Sequence, residues 1–283
     1  MRLTSPGRVV YASAGLSKGD VAAYYEAVAP WMLPELAKRP LSLLRCPDGA
    51  EGTCFFQKHW TPGLGKTLKH LRLREKEGED EYPYATDAAS LLQLVQMNTL
   101  EFHTWGARVD APEKPDRLVF DLDPDLGVEW RRVVAAARLI RARLQEQGLE
   151  SFVRLTGGKG LHVVAPLARS ASWERLKAYA EAFADALVAE RPREFIATMS
   201  KAKRAGLIFV DWLRNSRGAT AVTSWSLRAR EGAPVAMPVR WEELGRVGAG
   251  NAFDLRRAQK RAATLKADPW QDMYALKQRL PRG

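Results

Sequence analysis

The stretch Leu207-Ile208-Phe209-Val210-Asp211-Trp212-Leu213-Arg214 is apolar on both faces of an extended strand, so it belongs at the centre of a sheet covered on both sides. A carboxylate there is costly unless something cationic answers it. For Asp211 the two candidates are a buried ion pair with Arg214 or another arginine, and a bound metal.

A second strand carries two more acids. In Arg117-Leu118-Val119-Phe120-Asp121-Leu122-Asp123-Pro124 the two-residue period puts Leu118, Phe120 and Leu122 on one face and Val119, Asp121 and Asp123 on the other. Asp121 and Asp123 then stand roughly 6 to 7 Å apart along the strand, close enough to converge on hard divalent ions. Pro124 is expected to stop the strand there. The plain alternative is a solvated polar strand end, but a third acid at Asp211 favours two metals about 3.5 to 4 Å apart, the arrangement that aligns attacking and leaving oxygens in phosphoryl transfer.

Around these strands the pattern alternates. Helices are expected over Ser17–Ala37, with Asp20 completing a capping box and Pro30 and Pro34 breaking or kinking it, over Ala88–Leu100, Val128–Gln147 and Ser172–Arg191, and in the basic tail Asn251–Gly283. Strands are expected at Leu41–Arg45 and Thr53–Lys58 as a hairpin, at Ser151–Leu155, Leu161–Pro166 and Ala221–Ala229. Arg74–Asp87 lacks apolar periodicity and reads as an exposed loop. The fold class is α+β, with helices covering a sheet on at least one face.

Forty-four Lys and Arg against 33 Asp and Glu leave a net charge of +11, which favours an acidic partner such as nucleic acid or nucleotide. No apolar run reaches the roughly 18 to 20 residues that span a bilayer, and the N-terminal stretch from Met1 lacks a secretory apolar segment, so a soluble cytoplasmic protein with no membrane partner is expected. Cys46 and Cys54 have no zinc-ligand company and read as two buried thiols.

Between two strands lies Arg154-Leu155-Thr156-Gly157-Gly158-Lys159-Gly160-Leu161-His162. It matches neither the Walker A pattern nor G-x-G-x-x-G, and a strand follows it rather than a helix. One reading is a flexible hairpin turn with an incidental lysine and a satisfied core histidine. The other is a nest of backbone N–H groups which, with Thr156, Lys159 and His162, receives the oxygens of a triphosphate. Arg228 on a following strand would reach phosphate or simply be solvated, and Lys201-Ala202-Lys203-Arg204 reads as a solvated loop with a nucleic-acid contact as the alternative. Phe55 and Phe56 are core by default, yet point to opposite faces, leaving one ring for base stacking.

Six blocks taken together resemble the polymerase domain of bacterial ligase D, within the archaeo-eukaryotic primase superfamily that serves non-homologous end joining. They are Tyr24-Tyr25 through Leu33-Pro34, Arg39-Pro40 through Phe55-Phe56-Gln57-Lys58-His59, Leu100-Glu101-Phe102-His103-Thr104-Trp105, Asp121-Leu122-Asp123-Pro124, Gly157-Gly158-Lys159-Gly160-Leu161-His162 and Asp211-Trp212-Leu213-Arg214-Asn215. The resemblance implies a single primase-polymerase domain over 1–283, with a primase-like core of mixed and antiparallel sheets flanked by helices. Its parts would be an N-terminal portion to about residue 105, a catalytic sheet over about 106–250 and a helical tail over about 251–283.

It further implies that Asp121, Asp123 and Asp211 hold two divalent cations, manganese favoured and magnesium possible. His103 would contact the incoming sugar, in line with a family preference for ribonucleotides, and Thr156, Lys159, His162 and Arg228 would hold the triphosphate. Arg8 and Lys18 match the positions that grip a 5′-phosphate across a gap, and Phe55 and Phe56 the pair that stacks on template bases. Arg74–Asp87 matches the end-synapsis loop and Thr198–Gly206 a second mobile loop. The implied activity is template-directed extension of DNA 3′ ends and gap filling with NTPs, by a nucleoid-associated enzyme that works with a Ku-type protein and a DNA ligase. Three other readings are a primase-like enzyme that initiates chains without a primer, a non-catalytic end-binding or bridging module, and a metal nuclease, which would have little use for a triphosphate cradle.

Overall fold

The computed structural model describes residues 3–65 and 67–281; Met1, Arg2, Lys66, Arg282 and Gly283, and with them the two ends of the expected 1–283 domain, lie outside the described residues. In chain order the strands are β1 (Val9–Tyr11), β2 (Leu16–Ser17), β3 (Leu41–Arg45), β4 (Phe55–Gln57), β5 (His70–Glu75), β6 (Gly78–Pro83), β7 (Thr99–Trp105), β8 (Arg117–Pro124), β9 (Phe152–Leu155), β10 (Leu161–Pro166), β11 (Phe195–Ile196), β12 (Ile208–Asp211), β13 (Thr220–Val222) and β14 (Met237–Val239). The helices are α1 (Lys18–Leu36), α2 (Ala88–Gln96), α3 (Trp130–Glu146), α4 (Trp173–Glu190), α5 (Trp241–Leu244) and α6 (Leu255–Thr264). No helix among the described residues is long and apolar enough to cross a membrane. The chain forms two compact units, one of residues 1–105, 222–237 and 253–266, the other of 106–221, 238–252 and 267–283. Residues 222–237, expected in the catalytic sheet, and 253–266, expected in the tail, thus belong with the N-terminal part.

In the first unit, α1 starts where Ser17 caps it and Asp20 returns the bond to the Ser17 backbone. The helix runs through Pro30 and Pro34 instead of breaking. Both prolines are exposed and four residues apart, so the carbonyls they orphan share a face that water reaches, while Val28, Ala29 and Met32 bury the opposite side. β3 lies between β4 and β7, antiparallel to both. The helix expected through Leu100 stops at Gln96, because Asn98 takes a left-handed φ of +65° and turns the chain into β7. The loop expected at Arg74–Asp87 is in large part a second strand: β5 and β6 form a regular antiparallel hairpin in register from His70↔Pro83 to Glu75↔Gly78. Beside the pair Leu71↔Tyr82 it joins charged residues, such as Arg72 with Glu81 at 3.0 Å, and Arg74–Glu81 is charged at every position but Gly78, so that part carries no apolar alternation to read.

Cys46 and Cys54 form a disulfide across the β3–β4 connection rather than remaining thiols. The hairpin register explains this, since Arg45 pairs with Phe55 and the next pair outward is Cys46 with Cys54. The strand expected at Ala221–Ala229 is limited to β13. Trp225, fully buried, adopts a φ of +68° that ends any extended run, and the Tyr24 hydroxyl donates to its carbonyl at 2.8 Å.

The second unit is built on a six-stranded sheet ordered β11-β12-β8-β10-β9-β14. β8 is central and antiparallel to both neighbours. On one face Phe120 stacks on Phe183 of α4 at 4.6 Å. On the other, Val119 packs with Val164, Trp270 and Met273, and the acids of β8 follow beyond that cluster. Asn215, 1% exposed, ties the segment after β12 to the sheet: its amide donates to the Val119 and Trp212 carbonyls at 2.7 and 2.8 Å and accepts from the Val119 N–H at 2.8 Å. Asn215→Ala leaves these groups without partners and should lower stability by about 2 to 3 kcal/mol; a chemical denaturation curve superimposable on the wild type would show that the bonds are dispensable.

Candidate functional site

The acids meet because of strand register. Asp121 of β8 lies directly opposite His162 of β10 on one side and Asp211 of β12 on the other, and His162 lies opposite Arg154 of β9. Directly opposed residues of antiparallel strands share a face, so Arg154, His162, Asp121 and Asp211 form one row across four strands. Asp123, two residues on, shares that face opposite Phe209. The three carboxylates therefore lie on one face of the sheet.

Basic side chains answer them. Arg214 reaches Asp121 at 3.2 Å and Asp211 at 3.1 Å, so Asp211 has the arginine partner that was the first of its two alternatives, and shares it with a second acid. Lys159 and Arg204 each approach Asp123 at 3.2 Å. Among the described residues, no three His, Cys, Asp or Glu side chains by themselves form a group that could hold a metal ion. The donor chemistry nevertheless suits a hard cation. Burial pushes the Asp211 carboxyl above its usual value, Arg214 opposes that, and the charge of Asp121 pushes it further up. Facing carboxylates of this kind are relieved by a cation, and hard divalent ions take oxygen ligands.

His162 is buried, and burial lowers its pKa to about 4 against the upward pull of Asp121. Its Nδ1 lies 2.9 Å from an Arg154 guanidinium, which only donates, so Nδ1 accepts and the proton sits on Nε2, 3.4 Å from Asp121. Arg154 in turn lies over the Trp270 ring. The glycine turn departs from an open nest. The Thr156 hydroxyl donates to the Gly160 carbonyl at 3.0 Å and accepts from Gly158, and the Gly157 N–H donates to Gly250. Thr156 is thus a brace for the turn, while Lys159 projects from it half-exposed. A Cβ on Gly160 would stand 1.9 Å from the Leu122 carbonyl, so glycine is what lets the turn lie against β8.

The remaining sequence-designated residues belong to the first unit. Phe55 and Phe56 are both exposed, at 44% and 56%, rather than core; Arg45 lies over Phe55, and Phe56 meets the edge of His103 at 5.4 Å. Arg8 donates to the Pro47 carbonyl and the Asn98 side chain. The Lys18 ammonium donates to the Gln96 carbonyl at 2.8 Å. Burial, and then the neighbouring charge of Arg8, lower the Lys18 pKa.

Sequence reasoning missed Glu101, Arg154 and Arg204 as members of these sites. Arg204 reads as a solvated loop residue, but its guanidinium lies 3.8 Å from the Phe209 ring centre as well as against Asp123. Glu101 accepts from His103 Nε2 at 2.8 Å, from Arg228 Nε at 2.9 Å and from the Ala229 N–H at 2.8 Å. The available signal was its place two residues before His103 in β7, a strand absent from the sequence expectations. Although burial pushes it up, these donors hold Glu101 down to about 2. The unfolded chain therefore binds the extra proton between the ordinary glutamate value, 4.5, and about 2, so the stabilisation is complete above that window and lost as pH falls through it. The stability difference between wild type and Glu101→Gln should shrink steadily from pH 5 to pH 2 in urea titrations; a pH-independent difference would contradict the ionised carboxylate.

Residues 17–270 match the LigD primase-polymerase domain family. The chain is 39% identical over 281 residues to the multifunctional non-homologous end joining protein LigD of Pseudomonas aeruginosa, covering 99% of this chain and 34% of that protein. Against the Mycolicibacterium smegmatis protein of the same description it is 34% identical over 246 residues, 86% of this chain and 32% of the relative. The chain thus spans about a third of the length of these curated relatives. The solved polymerase domain from Mycobacterium tuberculosis ligase D, in complex with DNA, superposes with a TM-score of 0.89 at 32% identity, over 97% of this chain and 98% of that one. With a family match over most of its length, and three carboxylates gathered on one sheet face beside a basic turn, the chain belongs to the LigD primase-polymerase domain family.

Proposed function

We propose that this chain is a template-directed nucleotidyltransferase that extends DNA 3′ ends and fills short gaps in non-homologous end joining, with ribonucleotides preferred. The observation that carries the reading is the pairing of Asp121 opposite Asp211, with Asp123 on the same face. A primer 3′-hydroxyl attacks the α-phosphorus of an NTP and pyrophosphate leaves, so positioning and charge compensation do most of the work.

Asp121, Asp123 and Asp211 would hold two divalent ions, manganese favoured, and those ions would lower the pKa of the primer hydroxyl and offset charge on the phosphates. The neutral His162 presents an Nε2 proton as a donor to phosphate oxygen, its orientation set by Arg154. Arg214, shared between two acids, and Lys159 and Arg204 on Asp123 are cations able to turn from carboxylate to phosphate. In the first unit His103 is assigned the sugar, Arg228 the triphosphate, and the exposed Phe55 and Phe56 rings the template bases. Arg8 and Lys18, two close cations, form a grip for a doubly charged 5′-phosphate, which relieves their mutual repulsion. The family resemblance implies an end-synapsis role for Arg74–Asp87, much of which lies in the β5–β6 hairpin, and a Ku-type protein and a DNA ligase are the proposed partners.

Asp123→Ala should abolish extension of a gapped, 5′-phosphorylated duplex while DNA affinity changes little, because the carboxylate and the DNA grips are separate groups; loss of both together would count against the assignment. Arg8→Ala or Lys18→Ala should reduce the preference for a 5′-phosphorylated gap by about tenfold or more, with a smaller effect on open primer-templates. Equal loss on both substrates would reject the pocket.

A further inference from the structure

In the nucleotide-site reading above, on which this inference rests, His103 and Arg228 act on different parts of the nucleotide. The structure joins them through one carboxylate. Glu101 and His103 alternate onto the same face of β7, while Phe102 between them is buried against Tyr25 at 5.0 Å. Arg228 arrives from elsewhere, three residues after the left-handed Trp225, on a backbone fastened by the Tyr11 hydroxyl to the Arg228 carbonyl at 2.9 Å and by the Leu227 N–H to the Tyr25 hydroxyl at 2.9 Å. Glu101 Oε2 receives both the imidazole and the guanidinium, and Oε1 receives Ala229.

Glu101 itself is 3% exposed, whereas the His103 and Arg228 side chains keep 12% and 15% of their surface. It is therefore set beneath the two groups and does not stand where a nucleotide would touch it. A buried carboxylate is unfavourable unless its bonds are satisfied, and here three donors satisfy it.

We propose that Glu101 is a positioning residue that fixes His103 and Arg228 as one unit, so that recognition of the sugar and recognition of the triphosphate are coupled. An Nε2 proton committed to Glu101 sets the plane of the His103 ring and leaves Nδ1 directed away from the carboxylate. The same oxygen aims the Arg228 fork. Glutamine in this position keeps the volume but loses the charge and one acceptor: with its oxygen on His103 and Arg228 its NH2 group faces the Ala229 N–H, and with the amide reversed it faces both side chains, so it cannot serve all three donors.

The test uses the full chain on a gapped, 5′-phosphorylated duplex, with kcat and KM measured for ATP and dATP opposite thymine in wild type, E101Q, E101D, H103A, R228A, E101Q/H103A and H103A/R228A. E101Q is expected to raise KM for both nucleotides by about tenfold, with kcat changed less, and to reduce the ATP-over-dATP preference toward that of H103A. E101D, which keeps the charge, should recover part of the loss. E101Q/H103A should lose less than the product of the single losses. The 15N shifts of the His103 imidazole, read without DNA or nucleotide, should change in E101Q. Wild-type KM and preference in a folded E101Q, or multiplicative losses in E101Q/H103A, would overturn the proposal. Should E101Q fail to fold, H103A/R228A decides: coupled losses support the shared clamp and independent losses refute it. A wild type that does not extend at all refutes the polymerase reading first, and this proposal with it.

Discussion

The register of β8 between β10 and β12 is the constraint on which the rest of the second unit depends. It places Asp121 beside Asp211 on one side and His162 on the other, and like charges across a strand pair are unfavourable. The protein tolerates that arrangement with Arg214 held between the two acids. The same electrostatic requirement accounts for Lys159 and Arg204 at Asp123. A slip of one residue would turn the acids to the opposite face, where Phe120 now stacks on Phe183. Fold and site are therefore specified by the same pairing.

Two buried carboxylates show how environment separates roles. Burial and the nearby Asp121 charge push Asp211 up, whereas His103, Arg228 and Ala229 overcome burial and hold Glu101 down to about 2. The first is an acid whose charge is only partly answered, suited to binding a cation. The second is saturated with donors and suited to holding other side chains still. His162 is the complementary case, an imidazole kept neutral by burial so that it donates rather than carries charge.

Much of this was legible from residues near one another in the chain. The two-residue period of Arg117–Asp123 predicts which face carries the acids, Ser17 with Asp20 predicts the start of α1, and Ser172 the start of α4. What misled was local chemistry overruled by context. Pro30 and Pro34 read as breakers, but they fall on the solvent side of a helix whose other face is buried. Arg74–Asp87 reads as a loop because every residue from Arg74 to Glu81 except Gly78 is charged, while the apolar pair Leu71↔Tyr82 of the hairpin has one member outside that stretch. Ala221–Ala229 reads as a strand until Trp225 turns left-handed to reach its buried place. Cys46 and Cys54 read as separate thiols, since nothing short of the hairpin register opposes them.

By itself the sequence determined the α+β class, the helix starts, the shared face of Asp121 and Asp123, and the need of Asp211 for a cation, because each follows from periodicity, capping or burial within a few residues. Only the tertiary structure decided that Asp211 pairs opposite Asp121, that Thr156 braces its own turn, that Arg204 serves Asp123, and that Glu101 unites His103 with Arg228. Those contacts join residues up to 127 positions apart, and the pairing of strands and the closing of loops that bring them together leave no periodic trace in the chain.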